Sequence, residues 1–429
     1  MSDLIVVLNG LLTGTVIHDA GWPRFTYSDE YADDIDATPL SLSMPVASGR
    51  TYDPRITAPW LMNLLPDDAD VRADLAREFG APHGSATALL ERIGRDCAGA
   101  VQLAAPEDID DVLTRTGSLQ EVTDVQIVER MRALQSAPQR WTRPGERWSL
   151  AGAQPKFTAV RTDAGGWAYV HGNATSTHII KPGIARYPGS AFNEYLCLRA
   201  LSAVGISSVV PELIEFDGVA AIAVERYDRL RRADGCVIRL HQEDMCQALG
   251  VRPQNKYPSN GGPSATKIAE LLARDAAPGD VDRFADAVIA QYLLGAPDAH
   301  AKNYSIILNG VDATLAPLYD VASSLPYDPD PDSALSRVAM PIGGRSRFGE
   351  VTLHHVAEFA HTVGADPDRL VARTREMAAA LPDVLSETSP AVIDPTLTSL
   401  RTRLVDTVAA HCTTIDTTDT RGNVKRSSA

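Results

Sequence analysis

The chain has 429 residues, 44% of them hydrophobic and 22% charged; that length exceeds what one hydrophobic core normally serves and predicts a folded protein of two or three structural units. Its 55 acidic against 40 basic side chains leave a formal charge of -15, which excludes broad sequence-independent binding to nucleic acid, since that needs a surplus of Lys and Arg facing phosphates. No segment reaches the roughly 18 apolar residues of a membrane helix, the first apolar run lacks a basic leader, and the five scattered cysteines show no metal-ligand spacing. The expectation is a cytoplasmic protein without a membrane segment.

Leu4–Leu8 and Leu12–Ile17 flank Asn9-Gly10, a pair that supplies the positive φ of a primed hairpin turn, and Arg24–Tyr27 adds a third strand. Leu40–Pro45 is expected to be extended. Helices are expected from Trp60 to a stop at Pro66, from Asp70 to Phe79 and from Ser85 to Ile93, before Gly94–Leu103 returns to strand. Residues 1–105 therefore form a small α+β unit, and nothing in it suggests catalysis. The acidic stretch 106–113 is expected as an exposed connection within a linker region spanning 106–145, which includes a helix at Val125–Leu134 and a loop at Pro138–Glu146.

The next stretch, 146–226, is dense in signals. Ser149-Leu-Ala-Gly-Ala-Gln-Pro-Lys156 sets small residues ahead of a strand, where backbone can approach phosphates closely, although an ordinary turn would look the same. Lys181 closes the apolar strand from Thr177; a lysine there is unexpected for packing and suits a cation held against α- and β-phosphates. Ser190–Ala203 is a helix ended by Gly205. Glu194 on it could pair with Lys181, but its spacing favours a solvated face. A hairpin over Ile214–Asp228 exits at Glu225-Arg-Tyr227, where a two-lobed kinase keeps its hinge, and Arg226, Arg229, Arg231 and Arg232 read as a solvated basic connection.

Residues 227–412 are mostly helical by pattern. Helices are expected from Gln242, over Lys267–Arg274, over Asp280–Leu294, and over Leu353–Val363, Pro367–Leu381 and Val392–Ala410. Tyr327–Ser336 reads as a loop and 413–429 as an aperiodic, disordered tail. The helix ending at Leu294 runs directly into Asp298-Ala-His-Ala-Lys-Asn303. That loop carries a carboxylate to orient an incoming hydroxyl and an oxygen ligand for Mg²⁺, at the Asp-to-Asn spacing of the protein-kinase catalytic loop. Asp320, at the end of the run Leu315–Tyr319, is placed to be the second metal ligand. A solvated polar loop is the plain alternative.

Together these motifs resemble the HipA family, the kinase toxins of bacterial HipA-HipB toxin-antitoxin pairs, over nearly the whole chain. Asn63-Leu-Leu-Pro-Asp67, Ile93–Val101, Ser149–Lys156, His178–Lys181, Asn193-Glu-Tyr195, Val224–Arg229, Arg239–Gln247, Asp298–Asn303 and Tyr319-Asp320 carry the resemblance. It implies an α+β, two-lobed kinase fold with a small N-terminal subdomain and a largely all-α C-terminal lobe. It implies a Ser/Thr protein kinase in which Ser149, Leu150, Ala151, Gly152, Ala153, Gln154, Lys156, Lys181, Glu225, Tyr227, His300 and Lys302 hold ATP, Asp298 is the base, and Asn303 and Asp320 hold Mg²⁺. Ser149 would be an autophosphorylation site. The implied partners are a HipB-like helix-turn-helix antitoxin, DNA only through that antitoxin, and a translation factor or aminoacyl-tRNA synthetase, glutamyl-tRNA synthetase above all, as substrate.

Pro155, His241, Pro297 and Ala299 depart from the family's usual residues, but none removes a group the chemistry uses. Two other function classes are open to the same motifs. One is an antitoxin-binding co-repressor with little catalysis; the other is a lipid or small-molecule kinase, suggested by the Asp-x-His-x-x-Asn order.

Overall fold

The computed structural model describes residues 3–19, 22–137, 140–143, 145–216, 218–327, 330–388 and 395–416. Leu4–Leu8 (β1), Leu11–Asp19 (β2) and Trp22–Tyr27 (β3) form the expected meander, with φ of 54° at Asn9 and 82° at Gly10 in its first turn. Thr51–Tyr52 (β4) adds one edge; the expected strand at Gly94–Leu103 is broken into Asp96–Cys97 (β5) and Val101–Ala104 (β6), and the antiparallel order is β4-β3-β2-β1-β6. Leu40–Pro45 is a tight turn closed by a Ser41–Met44 bridge, not a strand. Side chains rather than a neighbouring strand hold it: Leu42 N donates to Glu243 Oε1 at 2.7 Å and Ser43 Oγ donates to Gln247 O at 3.1 Å.

After Asp29–Ala32 (α1), the helices Pro54–Asn63 (α2), Ala69–Phe79 (α3) and Ala86–Ile93 (α4) start at Asp53, Asp68 and Ser85, whose side chains accept first-turn N–H groups. Residues 106–113 are mostly exposed, as expected, but they are not a bare connection, because Ile109–Leu113 (α5) buries Val112 against β1 and β6. The linker expected over 106–145 is likewise part of the fold. Gly117–Val122 (β7) is an edge strand, and Asp124–Ser136 (α6) buries Ile127, Met131 and Leu134. Arg130, on that helix, sits inside the core with its guanidinium on Glu146 at 2.7 Å.

Trp148–Ser149 (β8) pairs in parallel with β5. Phe157–Arg161 (β9), Trp167–Gly172 (β10), His178–Pro182 (β11), Pro211–Phe216 (β12) and Val219–Glu225 (β13) join β7 in a sheet of order β12-β13-β11-β9-β10-β7, all antiparallel. Ser190–Ala203 (α7) lies between β11 and β12 in sequence. One apolar core runs from β1 through α6 to this second sheet, so the N-terminal unit and the upper lobe are welded together.

A second core centres on the lower lobe and takes in α7 with Ile222 and Val224 of β13. After the hairpin Arg229–Arg231 (β14) and Val237–Arg239 (β15), a three-stranded sheet of His241–Asp244 (β16), Ser305–Asn309 (β17) and Asp312–Leu315 (β18) is surrounded by helices. These are Met245–Ala248 (α8), Ala265–Asp275 (α9), Asp280–Leu293 (α10), Leu353–Val363 (α11), Pro367–Glu387 (α12) and Pro395–Thr413 (α13). The helix expected from Gln242 begins only at Met245, because Gln242–Asp244 pair with β17. The α12 helix runs through Pro382 rather than ending at Leu381. The first residues of the expected tail are folded, since Thr413 closes α13 and 414–416 form a 3-10 turn; 417–429 lie outside the described residues, as do 138–139, 144, 217, 328–329 and 392–394 of the other expected segments. No helix among the described residues is long and apolar enough to cross a membrane.

The basic connection at 226–232 is only partly solvated. Arg226 and Arg229 are buried: Asp96 of β5 meets Arg229 at 2.9 Å and Arg226 at 3.3 Å, Asp228 meets Arg226 at 2.9 Å, and Gly99 N donates to Asp228 at 2.6 Å. Two carboxylates from distant parts of the sequence thus neutralise guanidinium groups that flank the lobe connection. Glu243 is buried where the Leu40–Pro45 turn meets the lower lobe, with no partner for its second oxygen. Burial pushes its carboxyl up to about 8. The folded protein therefore keeps a proton that the unfolded chain releases above the ordinary value near 4.5, so stability falls as pH rises from there and levels off above about 8. Glu243→Gln is expected to lessen that decline by about 1.4 kcal/mol per pH unit within this window, read by urea unfolding of both proteins at pH 5 and pH 8.

Candidate active site

Lys181 lies near the end of β11 and points between the two lobes. Its ammonium is 2.8 Å from Glu194 Oε1 and 2.8 Å from Asp320 Oδ1. The expectation of a solvated Glu194 is overturned: the carboxylate is buried because α7 packs against β13 on one side and α12 and α13 on others, leaving no wet face at that position. Burial would lower the Lys181 pKa, but Asp320 and Glu194 together raise it, and it is charged. Burial acts upward on Asp320 as well, and Lys181 followed by Lys156 holds that carboxyl well below the usual range. Asp320 sits at φ 58°, in the left-handed region that a side chain with a Cβ rarely occupies. Local strain of that kind collects at functional sites, where the surroundings must hold it.

Across the same cleft, α10 delivers the chain through Gly295 into the loop that begins at Asp298. Gly295 has φ 67°, and a Cβ there would lie 2.3 Å from Leu325. The Asp298 side chain is 54% exposed, so it is open to an incoming group. Tyr257 donates its phenol to Asp298 Oδ1, and His300 Nε2 lies 3.4 Å from the same oxygen. Burial lowers the His300 pKa, and neither ring nitrogen has a hydrogen-bond partner. The Asn303 amide nitrogen donates to the Asp298 carbonyl, which leaves its oxygen for another partner. That amide oxygen and the Asp320 carboxylate are hard donors of the kind Mg²⁺ selects, so the residues fit the ion. Lys302 is committed elsewhere: Asn63 Oδ1 at 2.7 Å, Asp244 at 3.3 Å and Asp67 at 3.4 Å surround its ammonium.

The loop between β8 and β9 forms the roof. Gly152 has φ 101°, a conformation that calls for glycine, and the flexible tip of Lys156 lies over it, 2.6 Å from where a Cβ would stand. Lys156 donates to Ala151 O at 2.9 Å, and burial, with Lys181 nearby, lowers its pKa to about 8. At the back, Tyr227 donates to Gln242 Oε1 at 2.7 Å and stacks on Tyr319 with centroids 6.0 Å apart, while Glu225 ends β13.

These groups enclose one cavity of about 560 Å³, within the range of small-molecule sites. Every candidate residue lines it except Ser149, which is 1% exposed and donates Oγ to Leu64 O at 2.7 Å. The structure also adds residues that sequence reasoning left out. Asn63 and Asp67, from the unit in which no chemistry was expected, line the wall beside Lys256. The run Asn63-Leu-Leu-Pro-Asp67, polar groups at both ends of a helix exit, was their only local signal.

Comparison with known proteins covers most of the chain. The profile described as the HipA-like C-terminal domain matches residues 148–385, and that of the HipA N-terminal domain matches 4–104. The protein Y4mE of Sinorhizobium fredii is 38% identical over 396 residues, which is 90% of this chain and 92% of that one. The Serine/threonine-protein kinase toxin HipA of Shewanella oneidensis is 26% identical over 403 residues, 89% of this chain and 88% of that one. In a solved complex of Shewanella oneidensis HipA, HipB and operator DNA, a chain shares this fold with a TM-score of 0.80 at 24% identity, covering 96% of this chain and 97% of that chain.

Proposed function

The chain belongs to the HipA family, and from that premise we propose that it is a Ser/Thr protein kinase using ATP and Mg²⁺, the toxin half of a toxin-antitoxin pair. The observation that carries the reading is convergence: Lys181 and Asp320 are 2.8 Å apart and share one cavity with Asp298 and Asn303. Lys181, kept cationic by its two carboxylates, would bind the phosphates under the Gly152 loop, and the backbone of Glu225 to Tyr227 would take the base edge. Asp298 would orient a serine or threonine hydroxyl and accept its proton at the carboxylate. Asn303 and Asp320 would hold Mg²⁺, which when bound neutralises charge on the phosphate oxygens. His300, uncharged through burial, would offer a ring N–H to the phosphates without adding a cation.

In this reading the protein substrate is an aminoacyl-tRNA synthetase, glutamyl-tRNA synthetase by family likeness, and translation is what fails. A helix-turn-helix antitoxin would be the partner and would bring this acidic chain to DNA. Ser149 would be the site of self-inactivation. Since its Oγ is buried under Leu64, a phosphate with its nearly two negative charges could not remain in place there, and the loop above would leave with it.

The test is transfer from γ-labelled ATP by the purified chain. Label is expected on serine or threonine of a protein acceptor, lost on chelation with EDTA and restored by Mg²⁺. Label found only in the organic extract would make it a lipid kinase. No transfer at all, with antitoxin and operator binding intact, would leave it a co-repressor.

A further inference from the structure

The wall contributed by residues 63–67 reaches both halves of the cavity. Asp67 N donates to Gly152 O at 2.9 Å, in the loop that roofs the site. Its carboxylate faces the floor, 3.0 Å from Lys256 Nζ and 3.4 Å from Lys302 Nζ. Lys302 follows Asp298 within one short loop, and the same ammonium donates a hydrogen bond to Asn63 Oδ1 at 2.7 Å. Lys256 precedes Tyr257, whose phenol donates to Asp298, and the Lys256 carbonyl accepts from Ala301 N at 3.3 Å. Arg72 fixes the segment from behind by donating to Pro66 O at 2.6 Å and to Asp67 O at 2.8 Å. The Asp67 carboxyl is held below its usual range because Lys302 and Lys256 outweigh burial, so it meets both ammonium groups as an anion.

Resting on the kinase reading, we propose that Asp67 of the N-terminal subdomain is a positioning residue for phosphoryl transfer, clamping the Gly152 loop to the Asp298 loop. Nothing in its contacts makes it a proton acceptor for the reaction. It acts through two lysines, one on each side of the base, and through one backbone hydrogen bond to the roof. A clamp of this kind sets the separation between the γ-phosphate and Asp298, which governs the rate of transfer far more than the affinity for nucleotide. The N-terminal subdomain is then part of the catalytic apparatus of this chain and not an appended module.

Asp67→Asn in the full-length chain tests this, since it keeps the shape and the N–H to Gly152 but discharges the carboxylate. ADP formation from Mg·ATP gives kcat and KM; calorimetry with the non-hydrolysable analogue AMP-PNP gives affinity and the fraction of competent sites. The expected result is a kcat lower by about tenfold to hundredfold, with KM, AMP-PNP affinity and binding stoichiometry close to those of the wild type. Lys302→Met should lower kcat as well, and Asp67→Asn should add little in that background, because the two act as one unit. A kcat unchanged in Asp67→Asn overturns the proposal. So does a stoichiometry that falls in step with kcat, which marks a loss of folded protein, or effects of the two substitutions that multiply to within about twofold. If the wild type itself forms no ADP, the kinase reading is what has failed, and the clamp falls with it.

Discussion

Replacing Asp298 by Asn is expected to reduce phosphoryl transfer by about 10²- to 10⁴-fold while AMP-PNP still binds. The side chain is half exposed at the mouth of the cavity, and one of its oxygens already accepts from the Tyr257 phenol. An asparagine can keep that acceptor contact and the fold of the loop, whose Asn303 bond goes to the Asp298 backbone carbonyl rather than to its side chain. What it cannot do is take the proton from an incoming hydroxyl. Initial rates of label transfer, set beside AMP-PNP affinity measured by calorimetry, separate the two effects. A variant that transfers at the wild-type rate would show that some other group is the base.

The second large effect expected is on stability. Asp96→Asn should destabilise the fold by about 3–5 kcal/mol, measured by guanidinium unfolding, because it breaks a buried ion network from one side only. Asp96 is 1% exposed and faces Arg229, Arg226 and Arg239, with Arg239 at 3.6 Å. With the carboxylate gone, Asp228 alone faces the buried guanidinium groups. Burial would raise the Asp96 carboxyl, but Arg226, Arg229 and Arg239 hold it far below the ordinary range. Its stabilising contribution is therefore present above the unfolded value near 3.9 and lost only as pH falls toward the folded value. Asp96 lies on β5 while Arg226 and Arg229 bracket the lobe connection at Tyr227, so loosening this network should also blur the back of the cavity.

The elements that sequence made legible are those whose signal is local. Asn9-Gly10 dictated the first turn, and the apolar spacing of Ser190–Ala203 gave α7 to the residue. A lysine closing an apolar strand, with the Asp298 loop following a buried helix, was enough to mark most of the cavity. What escaped depended on partners far away in the chain. Arg226 and Arg229 look like any solvated basic pair until Asp96, about 130 residues earlier by the separation of the contact, is placed on them. Glu194 shows no sign of burial in its own helix, because the burial comes from β13, α12 and α13. For Asn63 and Asp67, the side-chain partners that mark the site, Lys302 and Lys256, come from the other lobe. The acidic stretch 106–113 is mostly exposed, as its carboxylates suggest; what they hid is the contact that its one buried residue, Val112, makes with β1 and β6.

The two-residue pairing of β8 with β5 places Ser149 under the floor of the upper lobe, hydroxyl bound and solvent excluded. Any enzyme that modifies this serine, the chain itself included, can reach it only during rare excursions in which the short strand has peeled away. The frequency of those openings, rather than the speed of chemistry, would then time how long a molecule stays competent.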